Sequence, residues 1–110
     1  MITMTKAASD VLAERQRQIE AEGWTPKHDD IHEGGEMAEA ASCYALHAHV
    51  PAESKAKYKP TYWPWACKWW KPGETRRDLV KAGALILAEI ERLDRQQMPA
   101  KPASIFHHPV

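Results

Sequence analysis

The amino-acid sequence predicts an all-α protein: a small bundle of three main helices with one long aromatic loop, completed by dimerisation. Three observations carry that prediction. Apolar residues recur at three- and four-residue spacing in three separate stretches. Alanine, the strongest helix former, is frequent in the middle stretch. The chain has 110 residues, enough for one domain and one modest core, which gives it a motive to oligomerise.

The first helix is expected from about Lys6 to Glu22, capped by Ser9 or Asp10 and stopped by Gly23, with Val11, Leu12 and Ile19 as a thin apolar stripe. Trp24-Thr25-Pro26 makes a turn, followed by the polar stretch Lys27 to His32. The second helix is expected from near Asp30 to about His49, with Met37, Ala40, Ala41, Tyr44 and Ala48 at helical spacing. Gly34 and Gly35 near its start would each cost about 1 kcal/mol in a helix interior. Close packing against another helix explains them, and so does backbone access for a ligand.

Residues 50–73 read as loop, broken by Pro51, Pro60, Pro64 and Pro72. Four of the five tryptophans lie between Tyr62 and Trp70, and so many aromatics argue against disorder. The third helix is expected from about Glu74 to Arg95, opened by a capping box of Thr75 and Asp78. Leu79, Ala82, Gly83, Ile86, Ile90 and Leu93 form its expected buried stripe. Residues 1–96 thus make one helical domain, and 97–110 a flexible, Pro-containing tail.

Fifteen basic and fifteen acidic residues cancel, so no net field draws the chain to nucleic acid or anionic lipid, and no sequence-specific nucleic-acid partner is expected. Met1 to Lys6 lacks the apolar core of a signal peptide, and no apolar run reaches membrane-spanning length. Cys43 and Cys67 read as free thiols. Together these predict a cytoplasmic protein.

Asp29, Asp30, His32, Glu33, Glu36 and Glu39 crowd one short segment. Acids at a helix start are ordinary. Glu33 and Glu36, three apart, would share a helix face, and Glu36 falls in an alanine-rich helix that is expected to be buried. A buried carboxylate needs a cation, a metal or several donors, and oxygen ligands of this kind suit magnesium or manganese.

The run His32-Glu33-Gly34-Gly35-Glu36-Met37-Ala38-Glu39-Ala40 resembles the second-helix signature of the all-α nucleoside triphosphate pyrophosphohydrolases, the MazG-like group. Their pattern is Glu-Glu-x-x-Glu, often continued as Gly-Glu-Leu-Ala-Glu-Ala, with Glu-x-x-Asp and an apolar run on the third helix. Here Asp78-Leu79-Val80-Lys81 and then Ala82 to Leu93 fall at that place. The resemblance implies a dimerising helical fold in which water attacks a magnesium-bound triphosphate and releases pyrophosphate. It implies Glu33, Glu36 and Asp78 as catalytic residues, and the same three with His32 as metal ligands. His32 replaces the group's first glutamate, Asp78 its third-helix glutamate and Lys81 its aspartate. An ammonium at Lys81 would repel magnesium, neutralise Glu33 or Glu36, and grip a phosphate directly; the expected cofactor is therefore magnesium or none. The wider pattern, Glu-Gly-Trp-Thr, then His-Asp-Asp, then Trp-Trp-Lys-Pro, is similar to small uncharacterised phage and prophage proteins.

Trp63, Trp65, Trp69, Trp70, Tyr58 and Tyr62 interleave with Lys55, Lys57, Lys59, Lys68 and Lys71. Such rings stack on bases while lysines meet phosphates; equally, they cover a core too small to close by itself. Arg76 and Arg77 open the third helix and either bind phosphate or solvate the surface. His28, His32, His47 and His49 lack the Cys/His spacing of a zinc site. The sequence thus predicts a nucleotide-directed protein, with ligand contacts from Lys81, Arg76, Arg77, Lys71 and the four loop tryptophans. Active hydrolysis is one alternative, and docking of a host protein through the tryptophan-rich loop, as in phage counter-defence, is another. Glu33, Glu36 and Asp78 are expected to converge on one cation, a metal or Lys81.

Overall fold

A computed structural model describes residues 3–97 of the chain. Among the described residues all regular structure is helical: α1 (Lys6–Glu22), α2 (Pro26–Asp29), α3 (Glu36–His47), α4 (Ala52–Lys55), a 3-10 turn (Cys67–Trp69) and α5 (Thr75–Gln97). Gln97 thus ends α5, and the rest of the expected tail lies outside the described residues. None of the described helices is long and apolar enough to cross a membrane.

Helix α5 is the central element and packs against α3, α1 and α2. Its interface with α3 is rich in small residues: Ala40 and Ala41 share one buried cluster with Ala82, Leu85 and Ala88. Small side chains bring helix axes close but bury little area each. The missing apolar bulk comes from Met37, Tyr44, Trp63 and Trp70. Tyr44 packs edge-on to Trp63 at 5.6 Å and lies 4.8 Å from Trp70 between ring centres. Each indole has a partner for its N–H: Trp63 donates to the Ala66 carbonyl and Trp70 to the Lys55 carbonyl, both at 3.1 Å. The loop is therefore a wall of the core.

Three expectations change. The cap of α1 is Thr5, whose hydroxyl accepts from the Ala8 N–H, and not Ser9 or Asp10. The inward face of α1 is also polar: Glu14, Arg15 and Gln18 are buried, while Leu12 is exposed. Arg15 binds Asp29 at 2.8 Å and Glu91 at 3.0 Å, and Glu14 binds Arg17 and Arg77. Ion pairs dock this helix, and Val11 adds one close contact against Gly83.

Helix α3 begins at Glu36, not near Asp30. The cause is local. Thr25 caps a separate short helix with Pro26 in its first turn, and Gly35 then takes a left-handed φ of 86°, a conformation that breaks one helix before the next. Glu33 stands outside α3, so its presumed helical spacing with Glu36 does not exist.

The third change concerns α5. Its buried residues are Asp78, Val80, Ala82, Ala84, Leu85, Ala88 and Arg92. Leu79, Ile86, Ile90 and Leu93, expected in the core, are exposed. The expected capping box is not formed: Thr75 is the first residue inside α5, and Asp78 accepts instead from the Gly73 N–H, at 2.8 Å.

Candidate functional site: an aromatic chamber

Gly23 ends α1 in the left-handed conformation, and Trp24 follows it with its N–H on the Gln18 carbonyl. That turn aims Trp24 toward Trp65, 6.0 Å away between ring centres. His32, from the turn after α2, lies 5.1 Å from Trp65 and 5.2 Å from His28. With Trp69 at the rim and Met37, Leu85 and Ala88 behind, these rings line a chamber of about 330 Å³. The volume is at the lower end for small-molecule sites, and the mostly apolar lining with a few polar groups is typical of them.

The polar groups are fixed from behind. Asp29, which lines the chamber, is buried and bound by Arg15 at 2.8 Å; the same guanidinium donates to the Trp24 carbonyl at 3.3 Å. Burial pushes the Asp29 carboxyl above its usual range, with Arg15 opposing. Burial, then the neighbouring His28, push His32 below the usual histidine value, with Glu36 opposing. His32 thus favours the neutral ring, which can both donate and accept a hydrogen bond.

A narrow cleft of about 30 Å³ adjoins the chamber and shares Glu22, Trp24, Trp69 and Leu85 with it. It holds Arg17, Lys71, Lys81 and Tyr44. Arg17 pairs with Glu14 at 2.9 Å and Glu22 at 3.1 Å. Lys71 lies 3.9 Å from Glu22 and over the Trp69 ring at 5.4 Å. Lys81 donates to the Lys71 carbonyl at 2.6 Å and sits 5.5 Å from the Tyr44 ring centre. Burial lowers its pKa, with Asp78 opposing.

The expected carboxylate site is not assembled. Asp78 is fully buried and paired at 2.7 Å with Lys55, also fully buried, rather than with Lys81. Lys55 donates further to the Ala48 carbonyl at 2.9 Å. Glu36 turns back on its own helix start and accepts from the Gly34 N–H at 2.7 Å, with His32 at 3.9 Å. Its own backbone N–H, joined by that of Gly34, holds its carboxyl below the usual range, with burial opposing. Glu33 borders a shallow depression with Asp30, Arg92 and Arg95. Among the described residues no group of three or more His, Cys, Asp or Glu is placed to hold a metal. The donors that the resemblance implies for magnesium, His32, Glu33, Glu36 and Asp78, therefore do not fit it as a set.

Of the expected ligand contacts, Trp65, Trp69, Lys71 and Lys81 line the chamber or its cleft. Trp63 and Trp70 belong to the core. Arg76 binds Asp10 at 2.8 Å and Arg77 binds Glu14, and neither arginine lines the chamber or its cleft. Sequence reasoning missed Trp24 as a lining ring and the pairings of Arg15 with Asp29 and of Lys55 with Asp78. Trp24 had a usable signal, a large aromatic directly after a helix-stopping glycine.

The chain matches no protein-family model, no curated protein and no solved structure. The likeness to the MazG-like group rests on its motif residues alone.

Proposed function

We propose that this chain is a nucleotide-directed binding protein: the aromatic chamber takes a planar heterocyclic base, and the cations of the adjoining cleft meet its phosphate. The observation that carries this reading is the continuity of two unlike surfaces across Trp24 and Trp69. On one side are indole and imidazole rings, on which a base stacks for about 1–3 kcal/mol. On the other are Arg17, Lys71 and Lys81. Arg17 and Lys71 already have carboxylate neighbours, so an incoming phosphate exchanges partners, which favours a ligand that also fills the chamber.

Binding is favoured over metal-dependent hydrolysis because Asp78 is neutralised by Lys55 and Glu36 is engaged by its own backbone. Docking of a host protein through the tryptophan-rich loop loses ground, since Trp63 and Trp70 are buried. A phage or prophage protein that sequesters a nucleotide signal needs such a chamber and no catalytic metal.

The test is a titration of nucleosides and nucleoside phosphates in the presence of a chelator, followed by tryptophan fluorescence and by thermal shift. Binding quenches emission and raises the melting temperature by mass action. Trp69 lies at the rim and is exposed, so Trp69→Ala keeps the fold and weakens binding about tenfold or more, as loss of one stacking partner predicts. Lys71→Ala weakens a nucleotide more than the corresponding nucleoside. A chain that responds to no purine or pyrimidine nucleoside or nucleotide at millimolar concentration would overturn the reading.

A further inference from the structure

Gln18, on the inward side of α1, is 2 % exposed and lines the cleft beside the chamber. Its Nε2 donates to Glu14 Oε2 at 3.2 Å. Its Oε1 is buried and has no hydrogen-bond partner among the described residues. Glu14 decides which end of this amide is which. Burial opposes the charge of Glu14, yet hydrogen bonds from Arg17 and Arg77 hold its carboxyl below the usual range, so it can only accept. The NH2 group of Gln18 must therefore face Glu14, and the oxygen is the end left over. Buried polar atoms nearly always have a partner, and this one requires a donor. We propose that Gln18 accepts a hydrogen bond from a ribose hydroxyl, so that the chain recognises a nucleotide by its sugar as well as by its base. This rests on the nucleotide-binding reading above.

Position and chemistry select the hydroxyl. Gln18 lies one helical turn before Glu22, which lines both the chamber and the cleft. Its backbone carbonyl accepts from the Trp24 N–H at 3.0 Å. Gln18 thus stands near the passage from chamber to cleft, and in a nucleotide the sugar stands between base and phosphate. The cleft, at about 30 Å³, matches the volume of one water molecule, which is room for a hydroxyl and not for a phosphate. A phosphate dianion also has no proton to give, and would set its oxygens against that of Gln18. Lys71 and Arg17 meet it at the mouth instead, their side chains 55 and 42 % exposed. Lys71 reaches its nearest acid only at 3.9 Å, so it can yield to an entering group. A ligand ammonium is disfavoured, because Arg17, Lys71 and Lys81 outnumber Glu14 and Glu22 around the cleft. A hydroxyl both donates and accepts. It gives its proton to Gln18 Oε1 and can accept from the Tyr44 hydroxyl or the Lys81 ammonium, which line the same cleft.

The experiment titrates the full chain, in chelator, with the 5′-monophosphates of adenosine, guanosine, cytidine and uridine and with their 2′-deoxy and 3′-deoxy forms. For the base that binds best, loss of one of the two hydroxyls is expected to raise Kd about tenfold or more, since it leaves a buried acceptor unpaired. Loss of the other is expected to change Kd little, which identifies the hydroxyl that is read. Gln18→Met keeps the volume and removes the acceptor. It is expected to weaken the ribonucleotide to the level of the sensitive deoxy form while leaving that form's own Kd unchanged, a pattern that a merely structural loss would not give. Circular dichroism checks the fold of the variant. Should its helicity fall, the side-chain carbonyl carbon of Gln18 in the unmodified chain decides by nuclear magnetic resonance: it is expected to shift with the ribonucleotide and not with the sensitive deoxy form, and equal shifts would overturn the proposal. Equal affinity for all three sugars would overturn it while leaving nucleotide binding intact, and so would a sugar preference that survives in a folded Gln18→Met chain. A chain that binds none of these nucleotides would overturn both readings together.

Discussion

At the scale of single residues, the Lys55–Asp78 pair has the largest consequences. Both side chains are fully buried and 2.7 Å apart. The pair joins the loop to the start of α5, because Lys55 also holds the Ala48 carbonyl and Asp78 the Gly73 N–H. Removing one member of such a pair strands a buried charge and costs about 3–5 kcal/mol. Lys55→Met is expected to lose that much in urea unfolding. Asp78→Asn keeps an acceptor for Gly73 but strands the ammonium, and is expected to fall in the same range. The double variant leaves no net charge in the site, so its loss should be smaller than the sum of the two by about 1 kcal/mol or more. Simple additivity would show that the two charges do not interact. Neither partner was legible in the sequence as half of a pair. Lys55 stands among other loop lysines, Asp78 resembles a metal ligand, and pairing across the intervening loop depends on tertiary packing rather than spacing.

At the scale of elements, the existence of the three main helices was legible and their faces were not. Helices α1 and α5 follow their expected spans closely. The face of α5 was misread because hydrophobic periodicity identifies an apolar stripe without saying what covers it. Alanine scores weakly as apolar bulk, yet here it marks the inner face, where α3 and α5 approach. The inner face of α1 was unreadable for a different reason: Glu14, Arg15 and Gln18 look like solvent residues until Arg77, Asp29 and Glu91 are brought to them by the fold. The start of α3 was legible only in part. The glycine pair was visible, but its purpose is a left-handed break at Gly35 rather than packing within a helix. Gly35→Ala is therefore expected to destabilise the chain by about 1–2 kcal/mol, the cost of an ordinary residue in that conformation. Gly34→Ala should cost less, since an added Cβ meets only the movable end of the Glu36 side chain, at 3.2 Å. Thermal melts of the two variants check the order, and a Gly34 variant weaker than the Gly35 variant would contradict it.

At the scale of the whole molecule, the question is whether these carboxylates can act together with magnesium. The motif that resembles the pyrophosphohydrolases contributes Glu33 and Glu36 on one side and Asp78 on the other, with Lys81 where an aspartate is expected. The fold gives them separate duties. Asp78 neutralises Lys55 at the heart of the bundle, Glu36 secures the first turn of α3, and Glu33 faces the outer depression beside Arg92 and Arg95. Lys81 lies in the cleft between Tyr44 and the Lys71 carbonyl. Magnesium gives up its tightly held water only for an octahedral set of oxygen ligands, and these acids do not supply one. Nucleotide binding is thus expected to have the same Kd in magnesium and in chelator, and pyrophosphate release from common triphosphates is expected to stay at background. Lys81→Asp makes the stronger test. It restores the acid of the related pattern, so a latent metal site would gain activity. The new carboxylate would instead face Glu14, Glu22 and the nearby field of Asp78 without joining Glu33 or Glu36. The expected outcome is weaker nucleotide binding, from loss of a cation in the cleft, with no gain in hydrolysis. Magnesium-dependent turnover by either protein, abolished by a chelator, would show that the acids do meet around a metal.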